Sequence, residues 1–266
     1  MAKLLAKKSL GQHFLTSTSV LKKILDVAAI SPGEKILEIG PGTGVLTRAL
    51  IGSGAEVIAI EKDSRAIEQL LEIKSDTLKI IEADILNVDL NSIDLRDNSY
   101  GLVANIPYYI TGAILEKFLE HAPRPNRIVI LVQKEVADRI IARNGEESIL
   151  SLSVKAFGTP TLIATVPKGA FSPPPTVESA ILSIKDISDQ LFRDKNVSIA
   201  SFFKVIHVAF AHKRKFVRRN IESIYSPENI KKTWAKMSLN EQIRAEEISI
   251  SDWFEIISEL EKDTKD

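Results

Sequence analysis

Lys35–Leu46 reads KILEIGPGTGVL: an apolar run, glycines at 40, 42 and 44, then the start of a helical pattern. Glycine lets the backbone turn sharply and approach a ligand closely. The spacing is GxGxG, not the GxGxxG of nicotinamide and flavin enzymes. A glycine-rich turn alone also serves ordinary strand-to-helix connections, so its meaning depends on what flanks it.

On either side, strand and helix signals alternate. Short runs rich in Ile and Val lie at Lys35–Ile39, Glu56–Ile60, Leu78–Glu82, Gly101–Asn105 and Arg127–Val132. Between and before them apolar residues recur at helical spacing, as in Val20, Leu21, Ile24, Leu25 and Ala28 after a Thr16–Ser19 capping region, and in Ile114, Leu115, Phe118 and Leu119. This alternation predicts a parallel sheet with helices on both faces. Two further strands, near Leu162–Val166 and Ser179–Ile184, follow a helical stretch at Ile149–Ala156 and flank the turn-rich Pro167–Thr176. They would form a hairpin closing one sheet edge. Seven strands with a terminal antiparallel hairpin suit a Rossmann-like class I methyltransferase sheet better than a plain dinucleotide fold. After Lys185 the character changes. Asp186–Ser201 is polar, and from Phe202 the apolar residues fall at helical spacing. An unbroken helix would place Lys213 on its apolar stripe, so a turn is expected near Ala211–Lys213, with a new helix through Val217 and Ile221. Trp234, Trp253, Phe254, Ile257 and Leu260 would complete a small all-helical domain. The expected boundaries are residues 1–185 and 186–266.

Two acids stand behind the glycine loop. Glu61 ends the second strand, where a carboxylate can accept hydrogen bonds from both ribose hydroxyls. Asp84 follows the third strand and is placed to bind an adenine amino group. Open α/β sheets put ligands at the carboxyl ends of their strands. A nicotinamide dehydrogenase shares these features, but nothing further along the chain supplies a recognisable hydride-transfer apparatus.

The fourth strand runs into Asn105-Ile106-Pro107-Tyr108-Tyr109. Pro107 has no N–H and fixes its own φ, so the strand must end there. Its carbonyl is expected to remain a free acceptor, and Asn105 adds a side-chain oxygen. Two acceptors beside an aromatic ring suit an exocyclic amine, and Tyr108 can stack on its base. The lone pair of such an amine is delocalised into the ring. Hydrogen bonds from both N–H groups favour a tetrahedral nitrogen that can attack a sulfonium methyl in line, through positioning and dipoles rather than a strong base. A tight turn with aromatic packing is the competing reading.

Composition bounds the class. The 266 residues carry 44% hydrophobic and 26% charged residues, ordinary for a globular protein. With no cysteine, disulfides, thiolate zinc sites and cysteine nucleophiles are excluded, which fits a reducing cytoplasm. The four histidines (His13, His121, His207 and His212) have no metal-ligand spacing, so no metal is expected. No apolar run reaches the roughly 18–20 residues a membrane-spanning helix needs, and the basic N-terminus lacks the apolar core and cleavage site of a signal peptide. Lys+Arg and Asp+Glu both number 35, so the net charge is zero, unlike a generic polyanion binder. The charge is nonetheless segregated. Lys204, Lys213, Arg214, Lys215, Arg218 and Arg219 form an acid-free basic stretch, Lys3, Lys7 and Lys8 a second, and acids gather towards the C-terminus. From charge alone, these are equally well solvated faces.

Together these segments resemble the ribosomal RNA adenine dimethyltransferase family. The resemblance runs in order through KKSLGQHFL (Lys7–Leu15), EIGPGTGVLT (Glu38–Thr47), the Glu61 and Asp84 positions, NIPYYIT (Asn105–Thr111), QKEVADRI (Gln133–Ile140), FSPPPTVESAI (Phe171–Ile181) and FAHKRKFVRRNI (Phe210–Ile221). It implies S-adenosyl-L-methionine as cofactor and a C-terminal helical domain that grips RNA. The implied substrate is 16S ribosomal RNA in the small subunit or its precursor, with two adjacent adenines near the 3′ end converted to N6,N6-dimethyladenine. A cytoplasmic, monomeric enzyme without metal is the corresponding expectation. By the resemblance, His13 and Leu15 close over the cofactor with Gln12 nearby. Glu38, Gly40, Gly42, Gly44, Glu61, Lys62, Asp84, Ile85 and Asn105 complete its site. Asn105, Pro107, Tyr108 and Phe171 form the catalytic set, with Tyr108 and Phe171 sandwiching the base. Lys7, Lys8, Lys213, Arg214, Lys215, Arg218 and Arg219 meet RNA. Without the resemblance, Phe171 before a proline run reads as a plug for a turn.

The chain departs from the family pattern in two places. Its basic motif is KRKFVRRN where relatives more often show RRKTLRNN, and Arg143–Leu150 lacks the expected tyrosine-glycine pattern. The competing functions are a 23S ribosomal RNA adenine methylase of the macrolide-resistance type and a non-catalytic ribosome assembly factor. The PGTG loop, the FSPPPTVES segment and the basic motif favour the small-subunit enzyme.

Overall fold

The computed structural model describes residues 5–7, 10–212 and 214–262. The chain divides into two compact units: one runs to Ala137 and resumes at Thr159–Ile187, the other comprises Asp138–Gly158 and the chain from Ser188. The expected boundary at 185/186 therefore misses a segment, because 138–158 groups with the helical unit. The reason is apolar: Phe157 packs on Phe192 at 4.9 Å between ring centroids.

The first unit is a seven-stranded sheet. In chain order its strands are β2 (Lys35–Ile39), β3 (Glu56–Glu61), β4 (Leu78–Glu82), β5 (Tyr100–Asn105), β6 (Arg127–Gln133), β7 (Thr159–Val166) and β9 (Ser179–Lys185), arranged β4-β3-β2-β5-β6-β9-β7. The first five are parallel, and β9 inserts antiparallel between β6 and β7. Side chains alternate along each strand. Ile36, Val57, Ala59, Val103, Val129, Leu131 and Ile181 form one apolar cluster. It includes Ile24 and Ala28 of α1 (Thr18–Ala28) and Leu46 and Leu50 of α2 (Val45–Gly52). The alternate residues Leu37, Ile58, Ile60, Leu102, Ile128 and Ile130 are buried too, which is why these strands read as unbroken hydrophobic runs. Buried residues on α3 (Ser64–Leu70) and α4 (Thr111–Leu119) come from the two remaining crossover helices. Arg127 clamps the N-terminal edge, donating to both Glu34 oxygens at 2.6 and 2.8 Å and to the Ala28 carbonyl at 2.5 Å.

The sheet opens at one place. From β2 the chain winds outward through β3 and β4, then returns to β5 on the other side of β2. The β2–β5 ladder covers only Lys35–Leu37 against Tyr100–Leu102, whereas β2–β3 continues to Ile39. The two strands thus separate at their carboxyl ends, at the topological switch point where such sheets bind ligands. A short two-stranded ribbon lies outside the seven-stranded sheet: β1 (Phe14–Leu15) pairs antiparallel with β8 (Phe171–Ser172).

The helical unit holds α6 (Ile149–Lys155), α7 (Gln190–Lys195), α8 (Ile199–Phe210), α9 (Val217–Ile221), α10 (Pro227–Lys236) and α11 (Ile250–Lys262); α5 (Lys134–Ile140) straddles the division. Its core is aromatic, with Phe192, Phe202 and Phe254 in mutual contact. The expected break after α8 is present. Asn220 pins it, its buried amide donating to the carbonyls of Ala209 at 2.6 Å and His212 at 3.3 Å. Among the described residues no helix is long and apolar enough to cross a membrane.

Candidate active site

A cleft open to solvent sits at the switch point. Its floor is the glycine loop, its walls the ends of β3, β4 and β5, and its cover residues 10–14. Gly40, Gly42 and Gly44 all have positive φ (65°, 56° and 73°), a conformation that L side chains rarely adopt. They differ in what a side chain would strike. A Cβ on Gly42 would come within 2.9 Å of the Phe14 ring, so this glycine admits the covering segment. A Cβ on Gly44 would strike Ile73, Arg48 and Leu70, so Gly44 serves helix packing and does not line the cleft.

Glu61 is 6% exposed and its carboxylate gathers backbone donors. Oε2 accepts from Gly42 N at 3.0 Å, and Oε1 accepts from Lys62 N and Asp63 N at 2.8 Å each. A carboxylate offers about four lone-pair sites, so Oε2 keeps one for a ligand. Asp84 accepts from Leu86 N at 3.1 Å and pairs with Lys62 Nζ at 2.7 Å, and the Lys62 ammonium holds its carboxyl below the usual range. Both residues line the cleft with Ile60, Ile85 and Leu86.

Asn105 gives the site its direction. Its Nδ2 donates to the His13 carbonyl at 2.8 Å. A carbonyl can only accept, so the amide is fixed with its nitrogen towards His13 and Oδ1 turned from it. The Pro107 carbonyl is not wholly free as expected: it accepts from Ile110 N at 3.2 Å, closing the tight turn over Tyr108–Ile110 and leaving its second lone pair. The Tyr108 hydroxyl bonds Ser179 Oγ at 2.6 Å, and burial pushes its pKa up. The His13 ring stacks near Tyr108, at 5.9 Å and 21°, while His13 Nδ1 donates to the Pro173 carbonyl at 2.8 Å.

Several expected site residues are elsewhere. Phe171 is 4% exposed, belongs to the apolar cluster with Leu15 and Ile181, and does not line the cleft with Tyr108. The β1–β8 pairing, Leu15 opposite Phe171, turns both into the core, so the plug reading describes Phe171 here. Leu15 likewise does not line the cleft. Gln12 lines it, but both ends of its amide are engaged, with Lys7 N at 2.9 Å and Asp63 Oδ2 at 2.9 Å. Glu38 lies behind the loop, 1% exposed, with Oε2 unpartnered. Burial raises its pKa to about 8, and the Glu61 charge adds to this; the Thr47 hydroxyl eases it without meeting full hydrogen-bond geometry. An acid with a raised folded pKa contributes stability that is complete below the unfolded value, near 4.5, and is lost as pH rises through about 8. Replacing Glu38 by Gln is expected to flatten the fall in melting temperature between pH 5 and pH 9; an unchanged fall in thermal melts would show that another group causes it.

Of the basic residues, Lys8 and Lys213, with Lys3, lie outside the described residues. Arg214 and Lys215 are exposed. Arg218 pairs with Glu241 at 2.9 Å and Arg219 with Glu222 at 3.4 Å. The sequence reading missed Asp63, Phe14, Ser179 and the backbone at Pro173. Asp63 had a legible signal, an acid capping α3 two residues before Arg65; the others depend on contacts between distant segments.

The cleft fits a nucleoside cofactor. Two carboxylates and a glycine cradle stand beside an apolar wall, and a Cβ at Gly40 would narrow the gap to the Pro107 ring to 3.9 Å. An open sheet in this order with such a cleft at its switch point defines a class I, S-adenosylmethionine-dependent methyltransferase. More narrowly, the chain belongs to the ribosomal RNA adenine dimethylase family, whose model matches residues 3–262. It is an enzyme that uses S-adenosylmethionine to methylate adenine in ribosomal RNA. It is 44% identical over 212 residues to a Dehalococcoides mccartyi protein named ribosomal RNA small subunit methyltransferase A, covering 79% of this chain and 72% of that protein. Among solved structures, a dimethyladenosine transferase from Plasmodium falciparum superposes with a TM-score of 0.79 at 25% identity, covering 95% of this chain and 98% of the other. The 23S rRNA methyltransferase ErmE superposes at 0.71 with 21% identity, covering 93% and 99%, and shares the fold.

Proposed function

We propose that this enzyme dimethylates N6 of two adjacent adenosines in the hairpin near the 3′ end of 16S ribosomal RNA, in the cytoplasm, during small-subunit biogenesis. The observation that carries this reading is the Asn105 amide, its nitrogen held by the His13 carbonyl and its oxygen without a partner among the described residues, in a cleft that Pro107 and Tyr108 also line. The 44% identity over 212 residues to a protein named ribosomal RNA small subunit methyltransferase A supports the choice of RNA.

When bound, S-adenosylmethionine supplies the sulfonium-bound methyl group. Glu61 Oε2 accepts from the ribose, Asp84 from the adenine amine of the cofactor, and Gly40 and Gly42 let the backbone approach. Asn105 Oδ1 and the Pro107 carbonyl would accept the two N–H groups of the target amine before the first transfer, and one of them the single N–H left before the second, turning the lone pair out of conjugation towards the methyl the cofactor would supply. The cationic nitrogen so formed would give its proton to solvent. Tyr108, anchored by Ser179, offers a ring for the base. Phe171, packed in the apolar cluster with Leu15 and Ile181, is not among the residues that line the cleft.

Incubating the protein with methyl-labelled cofactor and unmethylated ribosomal subunits, then mapping the label, tests the proposal. Label on two neighbouring adenines of 16S RNA, two methyl groups on each, is expected; label on 23S RNA, or none, would overturn it. RNA is held by Arg214 and Lys215, whose charges have no acid partner among the described residues, with Lys7, Arg218 and Arg219 secondary. Changing Arg214 and Lys215 together to Ala should weaken RNA binding and make the slope of log K against log salt shallower by about 1.5, near 0.7–0.9 per phosphate contact. The same slope in both proteins, measured by filter binding, would mean these charges are only solvated.

A further inference from the structure

Asp63 is buried and holds more partners than capping a seven-residue helix requires. Arg65 grips it through Nε at 2.9 Å and Nη2 at 2.5 Å, and the same guanidinium donates from Nη1 to the Leu5 carbonyl at 3.1 Å. Gln12 Nε2 donates to Asp63 Oδ2 at 2.9 Å, while Gln12 Oε1 accepts from Lys7 N. One carboxylate–guanidinium pair, two residues beyond Glu61, thus holds the segment that covers the cleft. The far end of that segment holds Asn105: His13 supplies the carbonyl that fixes the amide, and Phe14 fills the space left by Gly42.

We infer that Gln12 and Asp63 are positioning residues for methyl transfer, acting through the main chain of residues 12–13 to keep the His13 carbonyl where it orients the Asn105 amide. This rests on the reading of Asn105 as the group that holds the target amine. Gln12, whose amide is spent on Asp63 and the Lys7 backbone, thereby acts on both ends of the reaction through the main chain. Its hold on Asp63 keeps the cover on the cofactor cleft, and the position of His13 decides which atom Asn105 presents. The arrangement links a filled, covered cofactor cleft to a correctly turned catalytic amide.

The test is Gln12→Met, which keeps length and volume and loses both hydrogen bonds. Three quantities are measured on the full chain: the Kd for S-adenosylmethionine, kcat and KM for unmethylated small subunits, and the 15N–1H resonances of the Asn105 side-chain amide, assigned by their loss in Asn105→Ala. The expected result is a Kd raised and a kcat lowered by roughly tenfold each, the scale of one hydrogen bond to a charged acceptor. The KM for RNA should be unchanged, and the Asn105 amide protons should shift upfield as the bond to His13 weakens. Loss of the bond to the buried Asp63 carboxylate should lower the melting temperature by roughly 3–12 °C whatever Gln12 does in the reaction, so kcat and the Asn105 resonances carry the test. A merely structural role would leave the Asn105 resonances in place. That outcome, or a Kd and kcat within twofold of the parent protein, overturns the inference. Wild-type protein that labels no ribosomal RNA would instead defeat the proposed function, so the two failures are separable.

Discussion

Changing Asn105 to Ala should lower kcat by roughly 10²–10³-fold or more, the scale seen when one preorganised dipole is removed from a reacting centre, while leaving affinity for ribosomal subunits nearly intact. Asn105 ends β5 at the point where the sheet opens, and its amide has two jobs. Its nitrogen satisfies the His13 carbonyl, and in the proposed mechanism its oxygen accepts from the amine. Alanine removes both, freeing the cover as well as the acceptor, so some loss of cofactor affinity accompanies the loss of rate. Asn105→Asp separates the two. It keeps shape and acceptors but sets a carboxylate oxygen against the His13 carbonyl, two acceptors with no proton between them. It should be nearly as inactive as the alanine variant. Undiminished turnover in either variant, in single-turnover assays at saturating cofactor, would remove Asn105 from the chemistry.

Glu61→Gln should damage stability and cofactor binding together. Three backbone N–H groups converge on this buried carboxylate, from Gly42, Lys62 and Asp63. An amide has one oxygen for them, and its NH2 faces the remaining N–H donors. Leaving one or two buried donors unpaired costs about 1–3 kcal/mol each. At about 2–4 °C per kcal/mol for a chain of this size, the melting temperature should fall by between about 2 and 24 °C. The loop is disturbed at the same time, because Glu61 pins Gly42 from below. Loss of a charged acceptor for the ribose, about 1.5–3 kcal/mol, should weaken cofactor binding by roughly 10–100-fold. Calorimetric titration with S-adenosylhomocysteine checks the affinity and a thermal melt the stability. If both are unchanged, the three backbone bonds do not hold the loop.

The fold was legible because the buried strands are short runs of Ile and Val punctuated by glycine, proline and acids, and local patterns set their limits. The turn after α8 was legible for a related reason, since Lys213 had no place on an apolar stripe. The ribbon of β1 and β8 was not legible, because two residues carry no period and their pairing joins segments over 150 residues apart. The same non-local pairing bears on Phe171, whose ring reads equally well as a stacking platform or a plug until the partner opposite, Leu15, is known. The grouping of 138–158 with the helical unit escaped because it depends on Phe157 meeting Phe192. Around the cleft, Gly40, Gly42, Glu61, Asp84 and Asn105 were legible from their places at strand ends. That Glu61 spends most of its lone pairs on backbone, that Gln12 is occupied by Asp63, and that Glu38 sits behind the loop are consequences of packing that spacing does not encode.

In the proposed mechanism, catalysis depends on which atom Asn105 turns towards the base. The most direct measurement is a crystal structure of the protein with S-adenosylhomocysteine and adenosine bound. The expected result is Asn105 Nδ2 still on the His13 carbonyl, with Oδ1 and the Pro107 oxygen each about 3 Å from adenine N6. An adenine amine out of reach of Asn105, or an amide turned with its nitrogen towards the base, would contradict it.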